Sequence, residues 1–568
     1  MGGIKIANRA TRYIKDHSSW FILGMFSVCT FAITSPFILN PANTLISPVD
    51  GDAGYSSIIF EGIKREHLNP FIDGRLHSIA YPDGVAINTG VNRVSFFSTS
   101  FLWIGTLLTN AVFTHSLMAI IGTILSAQVV YLFVKKLTGR TAPSLVAGFI
   151  IGFSPLMMTM LFSAYPYTHM WLYVAIIWCF WHLATQPPSK KRFVYVFTAV
   201  FLSLFWTPYY TYHILLIAGT SSIVVATIYA RRHGAGLALK YIICVGGLLI
   251  LYALLYYLIG KSTQYAAIPT RTIEEIYQQS AHPLMYVLPG VFTIFGKGLY
   301  HLLVELVPRA AYTSLFIGVS TIGVALFSLV TLRRQGKYSR EIKYAVILCA
   351  SVVGVSFAFS LAPTVEVFGM TIPTPNYLVA EFTPALRAGQ RLAMPLISAF
   401  AVLCGIGLYV IQKRLSGRYG SLALIVIVII MFFELASFPP ERYTTLENRV
   451  IFNTFSQSDP ALTAVYLNNS LVSNPGQNVC YPQFQYKMPI VNDCAIQRNP
   501  YDFNRPTPTL LAITQEPLCK QLDILYNEGV GYLVISKLNN HDMYTCLARQ
   551  EHFSKYLGDD QYDIYKVR

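Results

Sequence analysis

Eleven runs of apolar residues, each near the length an α-helix needs to cross a bilayer, leave this chain few folds to choose from. They cover roughly 18–40, 116–134, 142–162, 170–185, 193–208, 209–229, 238–259, 311–331, 343–362, 392–411 and 420–438. A soluble core cannot absorb this much apolar surface. Of 568 residues, 54% are hydrophobic and 12% charged, with a mean hydropathy of +0.48. The sequence therefore predicts a polytopic α-helical membrane protein. The stretch 193–229 is divided at Pro208, because proline breaks a helix and the tyrosines of TPYYTYH suit a membrane interface.

The formal net charge is +15. Most of the excess sits in short clusters between apolar runs, where a nucleic acid would find no groove. Membrane lipids are the expected partner and no nucleic acid is. The clusters are the N-terminal Arg9, Arg12 and Lys15, then Lys135/Lys136/Arg140, Lys190/Lys191/Arg192, Arg231/Arg232/Lys240, the group from Arg333 to Lys343, and Lys413/Arg414/Arg418. The further run FFSTSFLWIGTLLTNAVF, 96–113, is short and rich in Ser and Thr. If it lies on the membrane surface, all six clusters fall on one side. The positive-inside rule then gives eleven spans in the plasma membrane, with the N-terminus cytoplasmic and the C-terminus outside. The run from Trp20 to Leu39 carries no evident cleavage site and is expected to remain the first span.

This topology predicts a transmembrane module over 1–439 with outer loops 41–95, 260–310 and 363–391, followed by an exocytoplasmic domain over 440–568. Within the loops, 284–299 is apolar but interrupted by Pro289 and glycines, as a surface or re-entrant helix would be. The tail changes character, with 13 Asp/Glu against 11 Lys/Arg. Its segments NVCYPQF, PTLLAITQEPLCKQLDILYNEG and VGYLVISKL read as short strands and helices, and so as a small α/β domain. Cys29, Cys179, Cys244, Cys349 and Cys404 fall in spans. Cys480, Cys494, Cys519 and Cys546 fall in the tail, where an oxidising face favours two disulfides; four buried thiols are the alternative. Their spacing lacks the CxxC knuckle of a structural zinc site.

Charge is almost absent inside the spans. Glu434 is the one acidic residue there, near the outer end of the last span. Polar chemistry gathers in the outer segments. Asp50 and Asp52 follow the first span on a turn punctuated by Gly51. Two carboxylates so placed suit a general base or a divalent metal such as Mg or Mn. A solvated turn, or a cap on the helix that begins near Ser56, accounts for the same pattern. Arg387 and Arg391, four apart at the head of a span, share one helical face and suit a phosphate or diphosphate; headgroup snorkelling is the plainer account. His169, where AYPYTH turns between two spans, is read as a substrate-binding candidate or an interface histidine.

With these features in view, the chain resembles the GT-C class of integral membrane glycosyltransferases, which use polyprenyl-phosphate sugars. The stretch FLWIGTLLTNAVFTHSLMAIIGTILSAQVVYLFVKKLTGRTAPSLVAGFIIGFSP, from the surface helix to Ser154–Pro155, carries much of the likeness. The resemblance extends over roughly 15–440. It implies a GT-C-like fold and an acidic residue in the first outer loop, where Asp50 and Asp52 stand. That carboxylate would act as the base for the acceptor or help to place a metal. Many relatives show adjacent acids, whereas this chain reads VDGD, so the choice between Asp50 and Asp52 stays open. The implied activity is transfer of a sugar from a polyprenyl-phosphate donor to a glycan, lipid or protein acceptor on the outer face. Inversion at the anomeric carbon would then use Asp52 or Asp50 as base and Arg387 and Arg391 beside the leaving phosphate. The competing class is a transporter, flippase or non-catalytic envelope-assembly factor. A transporter needs a polar path through the midplane, while this sequence keeps its charges outside.

Overall fold

A computed structural model describes residues 18–47, 52–79, 84–87, 90–163, 165–186, 189–261, 273–290, 293–299, 315–334, 338–367, 370–382, 389–415, 418–437, 444–445, 465–468, 517–527, 530–537, 541–558 and 562–567. Internal contacts divide the chain into two units. One comprises 1–38, 118–256 and 270–441; the other comprises 39–117, 257–269 and 442–568.

The first unit is mainly helical, with the antiparallel ladder of Thr364–Val367 and Met370–Pro373, and helical segments fall within each of the eleven expected spans. Among the described residues, five helices are long and apolar enough to cross a bilayer. They are Ala111–Thr138, Pro208–His233, Ala235–Ile259, Arg340–Ser360 and Gly389–Arg414; the pair Thr141–Gly152 and Pro155–Leu161, bent by 48°, makes a sixth. The chain is a multi-pass membrane protein. Other expected spans are shorter, such as Trp171–Thr185 and Lys190–Leu204 at 15 residues each. Such a helix is about 22 Å long, short of the ~30 Å hydrocarbon core, so apolar composition alone overstates the length of regular helix.

Local chemistry sets the helix ends. Thr207 caps Pro208–His233 by accepting from the Tyr210 amide at 3.2 Å, with Pro208 in the first helical position. Ser154 does the same for Pro155–Leu161, accepting from Met157 N, and Pro155 enforces the bend. Ala393–Arg414 is buried along most of its length. Its Gly407 lies so close to Val319–Arg334 that a Cβ there would meet the Val324 carbonyl oxygen at 2.4 Å, the small-residue contact by which membrane helices approach.

Glu434 does not reach into a polar path. Its carboxylate accepts from the Ser320 amide at 3.0 Å and from the Ser320 hydroxyl, at the start of Val319–Arg334. That helix has no acidic residue of its own in its first turn. The contact satisfies an orphan donor and complements the positive helix end. Glu434→Ala is therefore expected to lower stability by about 0.5–2 kcal/mol. Thermal unfolding in detergent reads this out, and an unchanged midpoint would rule out the cap.

In the second unit, Phe96–Leu108 is a 13-residue apolar helix that turns at Thr109–Asn110 into Ala111–Thr138. Asn110 caps the latter, accepting from Phe113 N at 2.7 Å. The tail forms a four-stranded sheet in the order Val465–Asn468, Tyr532–Ser536, Tyr562–Val567, Phe553–Gly558, parallel at the first pairing and antiparallel at the others. Helices Leu518–Asn527 and His541–Leu547 supply Leu522, Leu525, Met543 and Leu547 to a core with Leu533 and Ile535. Asp563 is buried in the sheet, where Lys555 approaches at 2.8 Å, Lys537 at 3.5 Å, and the Tyr544 hydroxyl donates at 2.9 Å. Strand Thr44–Leu45 pairs antiparallel with Thr444–Thr445.

A disulfide joins Cys519 to Cys546 and ties the two tail helices together. Cys480 and Cys494 lie outside the described residues. If they form the second expected bridge, alkylation without reductant leaves all four tail cysteines unlabelled. Labelling of Cys480 or Cys494 in the oxidised protein would limit the tail to one bridge. Removing the Cys519–Cys546 bridge is expected to cost about 2–4 kcal/mol.

Candidate functional site

The site residues singled out in the sequence fall in different parts of the structure. Asp50 and Arg387 lie outside the described residues. Asp52 belongs to the second unit, and His169 and Arg391 to the first.

Asp52 opens the helix Asp52–Arg65 and is exposed. The helix is charged in the sense its dipole favours, with Asp52 at the start and Lys64 and Arg65 at the end. The other described carboxylates of this segment serve the backbone. Glu61 accepts from Ala111 N at 3.2 Å, Glu66 from His77 N at 3.0 Å and from Ser78 N, and Asp73 from Asn69 N at 2.5 Å. Asp52 has no hydrogen-bond partner among the described residues. It is thus the described carboxylate of the segment 41–95 with its oxygens open to chemistry. A metal needs more ligands than this one. Among the described residues, no group of three or more His, Cys, Asp or Glu side chains converges as a metal site.

Arg391 sits in the 3-10 turn Gly389–Leu392, immediately before the buried helix Ala393–Arg414. The turn is fixed to the segment 273–290 by Gln390, whose amide donates to the Gln279 carbonyl at 3.1 Å and whose side chain donates to the Gln279 side chain at 3.0 Å. The Arg391 guanidinium lies 4.3 Å from the ring centre of Tyr167 and 4.2 Å from that of Tyr209, and donates to the Tyr167 hydroxyl at 2.6 Å. Tyr167 comes from the turn Tyr165–Thr168, just before Trp171–Thr185, and Tyr209 is the second residue of Pro208–His233. Side chains from just before or just inside the starts of three helices therefore meet at Arg391. Each helix start carries partial positive charge, and the guanidinium adds a full one, held in plane by aromatic faces. Such a place favours an anion.

The turn that bears Tyr167 is clamped against Ala111–Thr138. Ser126 donates to the Thr168 carbonyl at 2.8 Å and accepts from Trp171 N at 3.0 Å. Beneath it lies Gly122, where a Cβ would stand 2.1 Å from the Thr168 hydroxyl. His169 is fully buried. Its Nδ1 accepts from the Trp171 indole at 3.1 Å, which leaves Nε2 to donate to the Met118 carbonyl at 3.2 Å. Its ring packs on Trp206, 4.4 Å between centres. Burial pushes its pKa down to about 3, against the raising effect of the Met118 carbonyl, so the ring is neutral. Both nitrogens are thus engaged by protein.

Sequence reasoning missed Tyr167, Tyr209 and the buried pair behind them, Tyr173 and His213. The Tyr173 hydroxyl lies 2.8 Å from His213 Nδ1, and the Tyr173 ring stacks on Tyr210 at 4.7 Å. The signal lies in YPYTH and PYYTYH, where tyrosines flank both histidines, but these side chains carry no full charge that would set them apart from other interfacial aromatics.

No family model and no curated protein matches the chain. Among solved structures, it is similar to the oligosaccharyltransferase AglB of Archaeoglobus fulgidus in complex with an inhibitory peptide and a dolichol-phosphate. The identity is 12%, the match covers 94% of this chain and 71% of that one, and the TM-score is 0.48. It is also similar to ArnT of Cupriavidus metallidurans bound to undecaprenyl phosphate, at 12% identity, 95% and 97% coverage and a TM-score of 0.47. The apo state of that protein gives 11% identity, 97% and 98% coverage and 0.47. These neighbours belong to the GT-C class that the sequence resembles. At such identities and TM-scores, neither their substrates nor their site residues carry over to this chain.

Proposed function

We propose that this protein is a membrane glycosyltransferase that takes a sugar from a polyprenyl-phosphate-linked donor and passes it to a glycan, lipid or protein acceptor outside the cytoplasm. The observation that supports this most is Arg391, in contact with the rings of Tyr167 and Tyr209 close to the starts of three helices. A cationic site at the ends of membrane helices suits a phosphate whose hydrocarbon tail stays in the bilayer. In this reading Arg391, with Arg387, takes the donor phosphate and stabilises it as the leaving group. Asp52, or Asp50, accepts the proton of the acceptor hydroxyl, and attack inverts the anomeric carbon. His169 supports the turn that bears Tyr167. A divalent metal such as Mg or Mn, if used, would take Asp50 and Asp52 among its ligands. The proposal includes a plasma-membrane setting, a cytoplasmic N-terminus and a tail domain outside.

The test is a transfer assay in proteoliposomes, with a panel of polyprenyl-phosphate and polyprenyl-diphosphate sugars and an envelope extract as acceptor. The expected result is consumption of one donor with release of its lipid phosphate. Movement of the intact lipid across the bilayer without cleavage would instead establish a flippase.

A further inference from the structure

Behind the Arg391 site lies an ionisable side chain that the proposed reaction does not yet use. His213 is in Pro208–His233, one helical turn beyond Tyr209 and on the same face. It is fully buried, with Tyr209, Tyr210, Tyr212 and Tyr173 ringed around it at centre distances of 5.8 to 6.5 Å. Its Nδ1 is engaged by the Tyr173 hydroxyl. Its Nε2 is buried and has no hydrogen-bond partner among the described residues. A buried polar atom left unpaired is costly, and an ionisable side chain inside a membrane helix marks a functional position by default. When the Tyr173 hydroxyl donates to Nδ1, Nε2 carries the ring proton and is a donor. Tyr209 joins this donor to the anion site, since its ring touches both Arg391 and His213.

We propose that His213 is a second ligand-binding residue of the Arg391 site and that its Nε2–H donates to a phosphate oxygen of the lipid-linked donor. The proposal rests on the donor-site reading of Arg391 and adds to it a neutral donor fixed from behind by Tyr173. Arg391 supplies charge, whereas His213 supplies a directional hydrogen bond in the tautomer whose Nδ1 accepts from the Tyr173 hydroxyl. The competing occupant of Nε2 is a buried water, which would satisfy the nitrogen without any role in binding.

The test measures binding of undecaprenyl phosphate to purified protein. Arg391→Ala, His213→Phe and His213→Gln are compared with the unaltered chain. His213→Phe keeps a planar ring without the donor and is expected to weaken binding about tenfold or more, the scale of one hydrogen bond to a charged group. His213→Gln, whose amide can donate, is expected to recover most of that loss. Wild-type affinity in His213→Phe, with a loss in Arg391→Ala, overturns the role of His213 and leaves the donor site standing. Unchanged affinity in both overturns the donor site as well. If His213→Phe does not fold, selectively 15N-histidine-labelled wild-type protein decides the matter. The Nε2 resonance absent from His213→Gln is expected to shift on adding the lipid phosphate, and an unmoved resonance at saturation overturns the proposal.

Discussion

Asp52→Asn is expected to lower the rate of sugar transfer by about 10²–10⁴-fold while the protein unfolds at nearly its normal temperature. Asparagine keeps the shape of aspartate but cannot accept the proton of an attacking hydroxyl. The plain alternative is helix-end electrostatics. Asp52 is the first residue of Asp52–Arg65, where a negative charge stabilises by about 0.3–1 kcal/mol. That role predicts a small loss of stability and near-normal turnover, so the two roles separate on a pair of measurements. Glu61, Glu66 and Asp73 are bonded to backbone amides, and their replacement is expected to disturb the fold of the segment first. A large loss in Asp50→Asn alone would move the base two residues back. Normal rates in both variants would remove the proposed mechanism. Rescue of either variant by added Mg or Mn would mark the carboxylate as a ligand, since a weakened ligand responds to metal and a lost base does not.

Arg391→Ala is expected to weaken use of the lipid-linked donor by about 10–100-fold, the equivalent of a charge-assisted hydrogen bond of roughly 1.5–3 kcal/mol. Arg391→Lys discriminates between charge and geometry. Lysine restores the positive charge but neither the planar contact with Tyr167 and Tyr209 nor the paired donors of a guanidinium. A partial recovery is expected, with donor affinity improving more than turnover. A headgroup-snorkelling arginine would show no donor dependence in either variant. Thermal unfolding is needed beside the kinetics, because the Ala variant also removes the bond to the Tyr167 hydroxyl.

The helices were legible because the features that end them are written locally. Thr207–Pro208 divides 193–229, and Ser154–Pro155 bends the helix pair that sequence read as one span. The interruption near Pro289 likewise corresponds to two short helical pieces, Pro283–Tyr286 and Ile294–Gly298. The grouping of 39–117 with the tail was not legible, since nothing in either segment alone shows that Thr44–Leu45 and Thr444–Thr445 form a ladder. In the site, Arg391 stood out as a charge at the head of a span. Its tyrosine walls did not, because a chain with 37 tyrosines offers too many interfacial aromatics for any two to signal a clamp. His213 lay inside an apolar run and carried no charge to attract notice. His169 drew attention as a polar residue in a turn, yet both its nitrogens are spent on protein.

The ladder between Thr44–Leu45 and Thr444–Thr445 also sets a timetable. Its first strand leaves the ribosome about 400 residues before its second, and at ~5–20 residues per second it waits roughly 20–80 s for a partner. During that interval every intervening membrane helix is delivered to the bilayer. The second unit is therefore completed last. A chain halted before residue 444 would present an unpaired edge, the kind of surface that quality-control proteases and chaperones recognise.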